Sequence, residues 1–301
     1  MRWKKNAFFP VLTGMFIVGG ATVSHEQQCP YQAQMPPPTG YTSANLVLDD
    51  QFTGPALDTS NWNPWMGDAV NDRWGYPLPF PYSSDGTTYQ VNFYDPYPFG
   101  YGTSINGPHL ITGAGLREIA NPSSYFSGDG YSWASAAISS YNKVSLPAAG
   151  GYVQIRAKMP DSTHGAWAGL WFLSQSSVGA EIDLQESDLN IPNEPNANYT
   201  FATNWHGTGG TQIKTNVGVD LSAACHVYGM EYNPGNWLKM YFDGQLMATY
   251  TTDIPTEAYE IIIDLDIAGP NASGFHTVAD ATNHPGPFEL DVPEVQLYSL
   301  P

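Results

Sequence analysis

From Tyr152 to Met159 the chain alternates without a break: Val153, Ile155, Ala157 and Met159 are apolar, while Gln154, Arg156 and Lys158 are polar. A period of two marks a β-strand with one packed face and one polar face. The segments Trp237 to Phe242 and Gln245 to Tyr250 flank Asp243-Gly244, and both turn residues tolerate the positive φ of a type I′ hairpin. Few stretches show a 3.6-residue period. With 30 glycines and 25 prolines in 301 residues, breaks between short strands are frequent. These signals predict an all-β chain, folded as one large β-sandwich jelly roll of antiparallel strands.

One strand departs from simple alternation. In Glu181-Ile182-Asp183-Leu184-Gln185-Glu186, Ile182 and Leu184 alternate with Glu181 and Asp183, so two acids share a face. Glu186 lies an odd number of residues from Glu181, and strict alternation turns it the other way. A β-bulge at Leu184-Gln185 absorbs one residue and returns Glu186 to the acidic face. The Cα span between the two glutamates is then about four strand steps, roughly 13 Å, and side chains leaning toward a substrate bring their carboxyls to about 5 to 6 Å. That separation suits a retaining glycosidase, in which one carboxylate attacks and the other moves a proton. Asp183 stands between them, placed to hold or share a proton with Glu181. A solvated acidic strand face would carry the same letters, so the surrounding segments decide.

Those segments resemble glycoside hydrolase family 16, in the branch that carries the bulged motif. Gly150 to Pro160 is similar to the family's strand before the active site, and Gly165-Ala166-Trp167-Ala168-Gly169-Leu170-Trp171-Phe172-Leu173 to its Trp-rich strand. Cys225 to Tyr232, Lys239 to Gly244 and Ile263 to Gly269 follow in the family's order, and the resemblance runs from about Leu48 to Tyr298. It implies a concanavalin A-like jelly roll with a concave substrate cleft. It further implies Glu181 as nucleophile, Asp183 as its assisting acid, Glu186 as general acid/base, and substrate contacts from Trp167, Trp171 and His206.

Other residues are cleft candidates. Sugar C–H faces stack on indole rings, which brings in Trp133 and Trp205. Gln154 stands where many family members carry a cleft-facing Glu, and Arg156 shares its parity, so both are expected in the cleft. Asp291 matches an aspartate that binds a structural calcium in many members, with Asp49 or Asp50 as neighbouring oxygen donors. Catalysis itself needs no cofactor. Gln185 departs from the Met or Val common at its position, Asp264 from a frequent Asn, and Pro293 interrupts the last strand. The resemblance implies endo-hydrolysis of β-1,3- or mixed β-1,3/1,4-glucan. The same machinery would serve a galactan- or agar-directed hydrolase or a transglycosylase. The same scaffold serves non-catalytic glucan-binding proteins, which typically lack one or both catalytic glutamates.

Residues 1–24 combine Arg2, Lys4 and Lys5 with an apolar run from Ala7 to Val18 and small residues ending at Ala21 or Ser24. This is the pattern of a secretory signal peptide, so the mature chain is expected outside the cytoplasm, extracellular or periplasmic, with no membrane attachment after cleavage. Residues 25–44, with Pro36-Pro37-Pro38, read as an extended linker, and 45–301 as a single catalytic domain. Cys29 and Cys225 are the two cysteines, and spacing leaves a disulfide and two free thiols equally open. A formal charge of −18 excludes nucleic acid as a natural partner and favours a neutral polysaccharide over a sulfated one. Nothing in the chain demands more than a monomer. Asn198-Tyr199-Thr200 and Asn271-Ala272-Ser273 are glycosylation sequons.

Overall fold

The computed structural model describes residues 29, 33–64, 92–94, 109–112, 114–122, 132–174, 181–187, 197–205, 212–270, 279–280 and 282–301. The expected signal segment lies outside the described residues. The chain is all-β, with short 3₁₀ turns as its only helical elements among these residues. Its strands are β1 (Leu46–Asp50), β2 (Asn92–Tyr94), β3 (His109–Thr112), β4 (Gly115–Pro122), β5 (Trp133–Ser135), β6 (Ala137–Ser139), β7 (Gly151–Lys158) and β8 (Ala166–Ser174). They continue with β9 (Glu181–Glu186), β10 (Thr200–Trp205), β11 (Ile213–Asn216), β12 (His226–Asn233), β13 (Trp237–Phe242), β14 (Gln245–Tyr250), β15 (Tyr259–Ile267) and β16 (Phe288–Ser299).

Among the described residues the strands form two sheets. A ten-stranded sheet runs β14-β13-β12-β7-β16-β4-β5-β2, with β1 added on β16 and β3 on β4, and a six-stranded sheet runs β11-β10-β9-β8-β15-β6. Pairing is antiparallel except between β2 and β5. One core joins the two sheets: Val153, Ile155 and Ala157 of β7 and Leu290 and Val292 of β16 share a cluster with Leu170 and Phe172 of β8, Ile182 and Leu184 of β9, and Ile261, Ile263 and Leu265 of β15. The inner faces are thus closed by the alternation visible in the sequence, and each sheet keeps one outer face for polar groups. At the β13–β14 hairpin, Asp243 and Gly244 both take positive φ, 46° and 75°.

The two sheets use their outer faces differently. On the ten-stranded sheet, the polar side chains of β7 and β16 receive the N-terminal segment. Arg156 Nη1 donates to the Ala33 carbonyl at 3.0 Å, and Gln154 Nε2 to the Pro36 carbonyl at 2.9 Å. Gln296 Nε2 donates to the Met35 carbonyl at 3.2 Å, and the Glu294 carboxylate accepts the Met35 N–H at 3.0 Å. Met35 is 2% exposed. Residues 33–44 therefore belong to the folded domain rather than to a linker. A proline residue lacks a backbone donor but keeps its carbonyl, and the sheet supplies donors to the carbonyls of Ala33, Met35 and Pro36.

The last strand and the cysteine pairing are also decided here. Pro293 does not end the last strand: β16 passes through it with a register shift between Asp291 and Glu294. Gly115 accommodates that kink, since a side chain there would collide with the Pro293 backbone. Cys29 and Cys225 are joined, with Cα atoms 5.8 Å apart and 196 residues between them in sequence. Closing so long a loop in the unfolded chain stabilises the fold by about 2 to 5 kcal/mol in the loop-entropy account. Reduction, or the double change Cys29→Ser and Cys225→Ser, should lower the urea-unfolding free energy by that amount. An unchanged midpoint would mean that the tie contributes nothing.

Candidate active site

Strand β9 lies in the middle of the six-stranded sheet, between β8 and β10. Ile182 and Leu184 are fully buried in the inter-sheet core, which turns Glu181 and Asp183 to the outer face. The pairing with β8 then slips. Asp183 pairs with Trp171 and Gln185 with Leu170, leaving Leu184 as an extra residue. Glu181 and Glu186, five residues apart on β9, thus face Leu173 and Gly169, four residues apart on β8. This is the geometry of a β-bulge, and it returns Glu186 to the face of the other two acids. Asp183 is buried, at 5% exposure, between two partly exposed glutamates.

Strand β8 supplies the neighbours. Ala166, Ala168, Leu170 and Phe172 enter the core, so Trp167, Gly169, Trp171 and Leu173 face the acids. Trp167 Nε1 donates to Glu186 Oε1 at 2.9 Å, which ties this carboxyl to an indole on the next strand. Trp171 Nε1 donates to Asp264 Oδ1 at 3.2 Å. Trp171 also packs on a small apolar cluster of Ala137, Leu173 and Ile262. Gly169 is boxed in: a side chain there would collide with Asp264 Oδ1 and come within 2.9 Å of Trp171 Cδ1. Register places Glu186, Gly169 and Asp264 in one row across three strands, and Asn204, Asp183 and Trp171 in another.

Trp167 and Trp171 are therefore assembled with the three acids. Gln154 and Arg156 are not: β7 belongs to the other sheet, and both side chains face the N-terminal segment on the far side of the sandwich. Their parity was visible in sequence, but parity does not say which sheet a strand joins. Trp133 is also away from the cleft, 1% exposed, in the core and against Phe288 at 5.4 Å. Trp205 pairs with Ile182 through its backbone, and its side chain lies outside the described residues, as does His206.

Asp291 meets an arginine where a calcium was expected. Arg117 Nε lies 3.1 Å from Asp291 Oδ1 and Arg117 Nη1 3.4 Å from Glu289 Oε2, both pairs buried. Asp50 accepts from the Phe52 N–H and the Trp62 indole, and Asp49 accepts from Gln34. Among the described residues no group of three His, Cys, Asp or Glu side chains is arranged to hold a metal. The donor set around Asp291 does not fit calcium, because a fixed guanidinium already supplies the positive charge. Asn198 is likewise committed: its side chain bonds Asp161, the Ser162 N–H and Ser222, leaving no free amide for a glycan in the folded chain. Asn271 lies outside the described residues.

Two further acids stand on this face, Asp264, expected only as a departure from a frequent Asn, and Asp266, which the motifs do not single out. Asp264 and Asp266 alternate with core residues Ile263, Leu265 and Ile267 on β15, the same acid-apolar rhythm that exposed Glu181 and Asp183. Behind them, on β4, Glu118 is fully buried, and neither carboxyl oxygen has a hydrogen-bond partner among the described residues. Burial first, and then the nearby charges of Asp264 and Asp266, hold its carboxyl well above the ordinary carboxylate range.

The model for glycosyl hydrolases family 16 matches residues 125–276, and the chain belongs to this family. A curated relative, the glucan endo-1,3-beta-glucosidase A1 of Niallia circulans, is 26% identical over 279 residues, 82% of this chain. The chain spans 37% of that protein's length. Among solved structures, the laminarinase catalytic domain of Thermotoga maritima superposes with a TM-score of 0.61 at 20% identity, covering 84% of this chain and 97% of that one. The endo-beta-1,3-glucanase of Pyrococcus furiosus gives 0.63 at 20% identity, covering 84% and 94%. At these identities the structural likeness speaks for the fold alone.

Glu118 yields a stability prediction whose sign is fixed. Its proton is retained in the folded chain to well above 4.5, the ordinary value at which the unfolded chain releases it. Its ionisation therefore adds no cost below about that pH and destabilises the fold progressively as pH rises above it. Glu118→Gln, which keeps the shape and removes the proton, should be more stable than the parent at pH 7 in urea unfolding, with the gap closing toward pH 4. Parallel stability curves would show that Glu118 is not held neutral.

Proposed function

We propose that this chain is a secreted retaining endo-β-1,3-glucanase, active on laminarin-type or mixed β-1,3/1,4-glucan. The observation that carries the reading is the bulge in β9, which turns Glu181 and Glu186 to one face with partners four residues apart on β8. At roughly 3.3 Å per strand residue this is a Cα span of about 13 Å, short enough for the carboxyls to meet at the separation of retaining enzymes. Family membership, the names of the relatives and the basic and apolar character of residues 1–24 support it.

In the proposed reaction a carboxylate oxygen of Glu181 attacks the anomeric carbon and forms an ester bond as the glycosidic C–O bond breaks. Glu186 gives its proton to the departing oxygen. Glu186, now a carboxylate, takes a proton from water, whose oxygen attacks the same carbon and releases Glu181. The Trp167 indole, bonded to Glu186, holds the acid/base in place through both steps. Asp183, buried between the glutamates, steadies Glu181 through its charge and proton balance. The indole faces of Trp167 and Trp171 offer stacking surface for sugar rings.

Substrate assays, product stereochemistry and two variants test this. Purified protein should release reducing sugar from laminarin and barley β-glucan but not from agarose, and the products should first appear with the anomeric configuration of the substrate in time-resolved NMR. Glu181→Gln should lower turnover at least about a thousandfold. Near-native activity of that variant, or inverted product, would sink the assignment. Trp167→Phe keeps the ring and loses the donor to Glu186. It should lower kcat roughly tenfold, in line with one lost hydrogen bond to a charged group, and unaltered kcat would remove Trp167 from that role.

A further inference from the structure

The catalytic strand is fastened to its neighbour in an unusual way. β9 and β10 make ladder pairs at Trp205 with Ile182 and at Asn204 with Asp183, and beyond Asp183 no further ladder pair joins them among the described residues. The bulge ends the ladder because the extra residue throws the two backbones out of step. Thr200 and Ala202 of β10 are nonetheless buried, at 1% and 0% exposure, and their polar backbone groups need partners.

One side chain meets that need. Gln185 is 1% exposed. Its Oε1 accepts the Ala202 N–H at 3.1 Å, and its Nε2 donates to the Thr200 carbonyl at 3.2 Å. The same nitrogen lies 3.3 Å from the carbonyl of Glu186, to which it also donates. A primary amide carries a donor and an acceptor as a peptide unit does, so Gln185 continues the ladder in side-chain form. A second link works alongside it. Thr203 Oγ1 donates to the Asp183 carbonyl at 2.6 Å, and the Thr203 carbonyl accepts from Tyr250 Oη of the opposite sheet at 2.9 Å.

We propose that Gln185 is a positioning residue for the acid/base: its amide clamps the bulge to β10 and so sets where Glu186 stands opposite Trp167. An apolar residue at 185 would leave a buried N–H and a buried carbonyl on β10 without their partners. It would also release the carbonyl of Glu186 itself. The strand end that carries the acid/base would then settle elsewhere, and displacements of about 1 Å cost on the order of a hundredfold in rate. Glu181 sits on the other side of the bulge, where the ladder is intact, so the attacking carboxylate keeps its place.

This rests on the glucanase reading, and the test separates the two. Gln185→Leu and Gln185→Met are assayed on laminarin and on 2,4-dinitrophenyl β-laminaribioside, whose leaving group departs without a proton. The clamp predicts that kcat/KM on laminarin falls roughly 10- to 100-fold, while on the aryl glycoside it stays within about threefold. A parallel fall on both substrates would mark a general structural defect and overturn the inference, as would no fall on either. Should neither variant accumulate as folded protein, Gln185 is a folding determinant and the positioning role is lost. A parent enzyme silent on both substrates fails the glucanase reading and takes the clamp with it. A parent active on both, with an unchanged ratio in the variants, fails the clamp alone.

Discussion

Strand β9 has to satisfy two periods at once. Its apolar residues must enter the inter-sheet core, which demands alternation by two, and its third acid stands five residues from the first, which alternation by two would bury. The bulge resolves the conflict by placing both Leu184 and Gln185 on the protected side of the strand, one in the core and one against β10. A buried carboxylate at position 186 would be costly without a partner, so the slip in register is the arrangement that leaves every side chain of the strand in a tolerable environment. The cleft face of the molecule depends on that slip. The row Glu186-Gly169-Asp264 and the indole bond to Glu186 exist because of it.

A sandwich has two outer faces, and here they have separate tasks. The outer face of the six-stranded sheet gathers acids and indoles at an open surface. That of the ten-stranded sheet gathers Gln154, Arg156, Glu294 and Gln296 and spends them on the backbone of a proline-rich segment held by a disulfide. Both faces consist of polar residues alternating with core residues, and both look alike in one strand taken alone. The distinction is one of partners. On the second face Gln154, Arg156, Glu294 and Gln296 bond the chain's own backbone.

Acidity recurs inside the fold as well as over its surface. Asp183, Asp264 and Asp266 are buried on the cleft side, with Glu118 behind them, whereas the buried cation of β4, Arg117, is committed to Asp291 and Glu289 at the other outer face. Burial and neighbouring negative charge both disfavour the ionised form of a carboxyl. Glu118, fully buried and close to the charges of Asp264 and Asp266, is pushed well above the ordinary carboxylate range on both counts.

Much of this was legible from the residues alone. Alternation in Tyr152 to Met159 and the Asp243-Gly244 turn indicated antiparallel strands, and E-x-D-x-x-E, read against the period of a strand, required a bulge at Leu184-Gln185. These are local properties, set by backbone geometry within a few residues, and a linear string carries them in full. The membership of β7 in one sheet or the other was not local. Nor were the burial of Trp133, the arginine that stands where a calcium ligand would need room, the union of Cys29 with Cys225, or the amide of Gln185 replacing a ladder on β10. Each depends on which distant segment comes alongside. Alternation fixes a side chain's direction relative to its own strand, but what it meets there is decided only when the sheets pack.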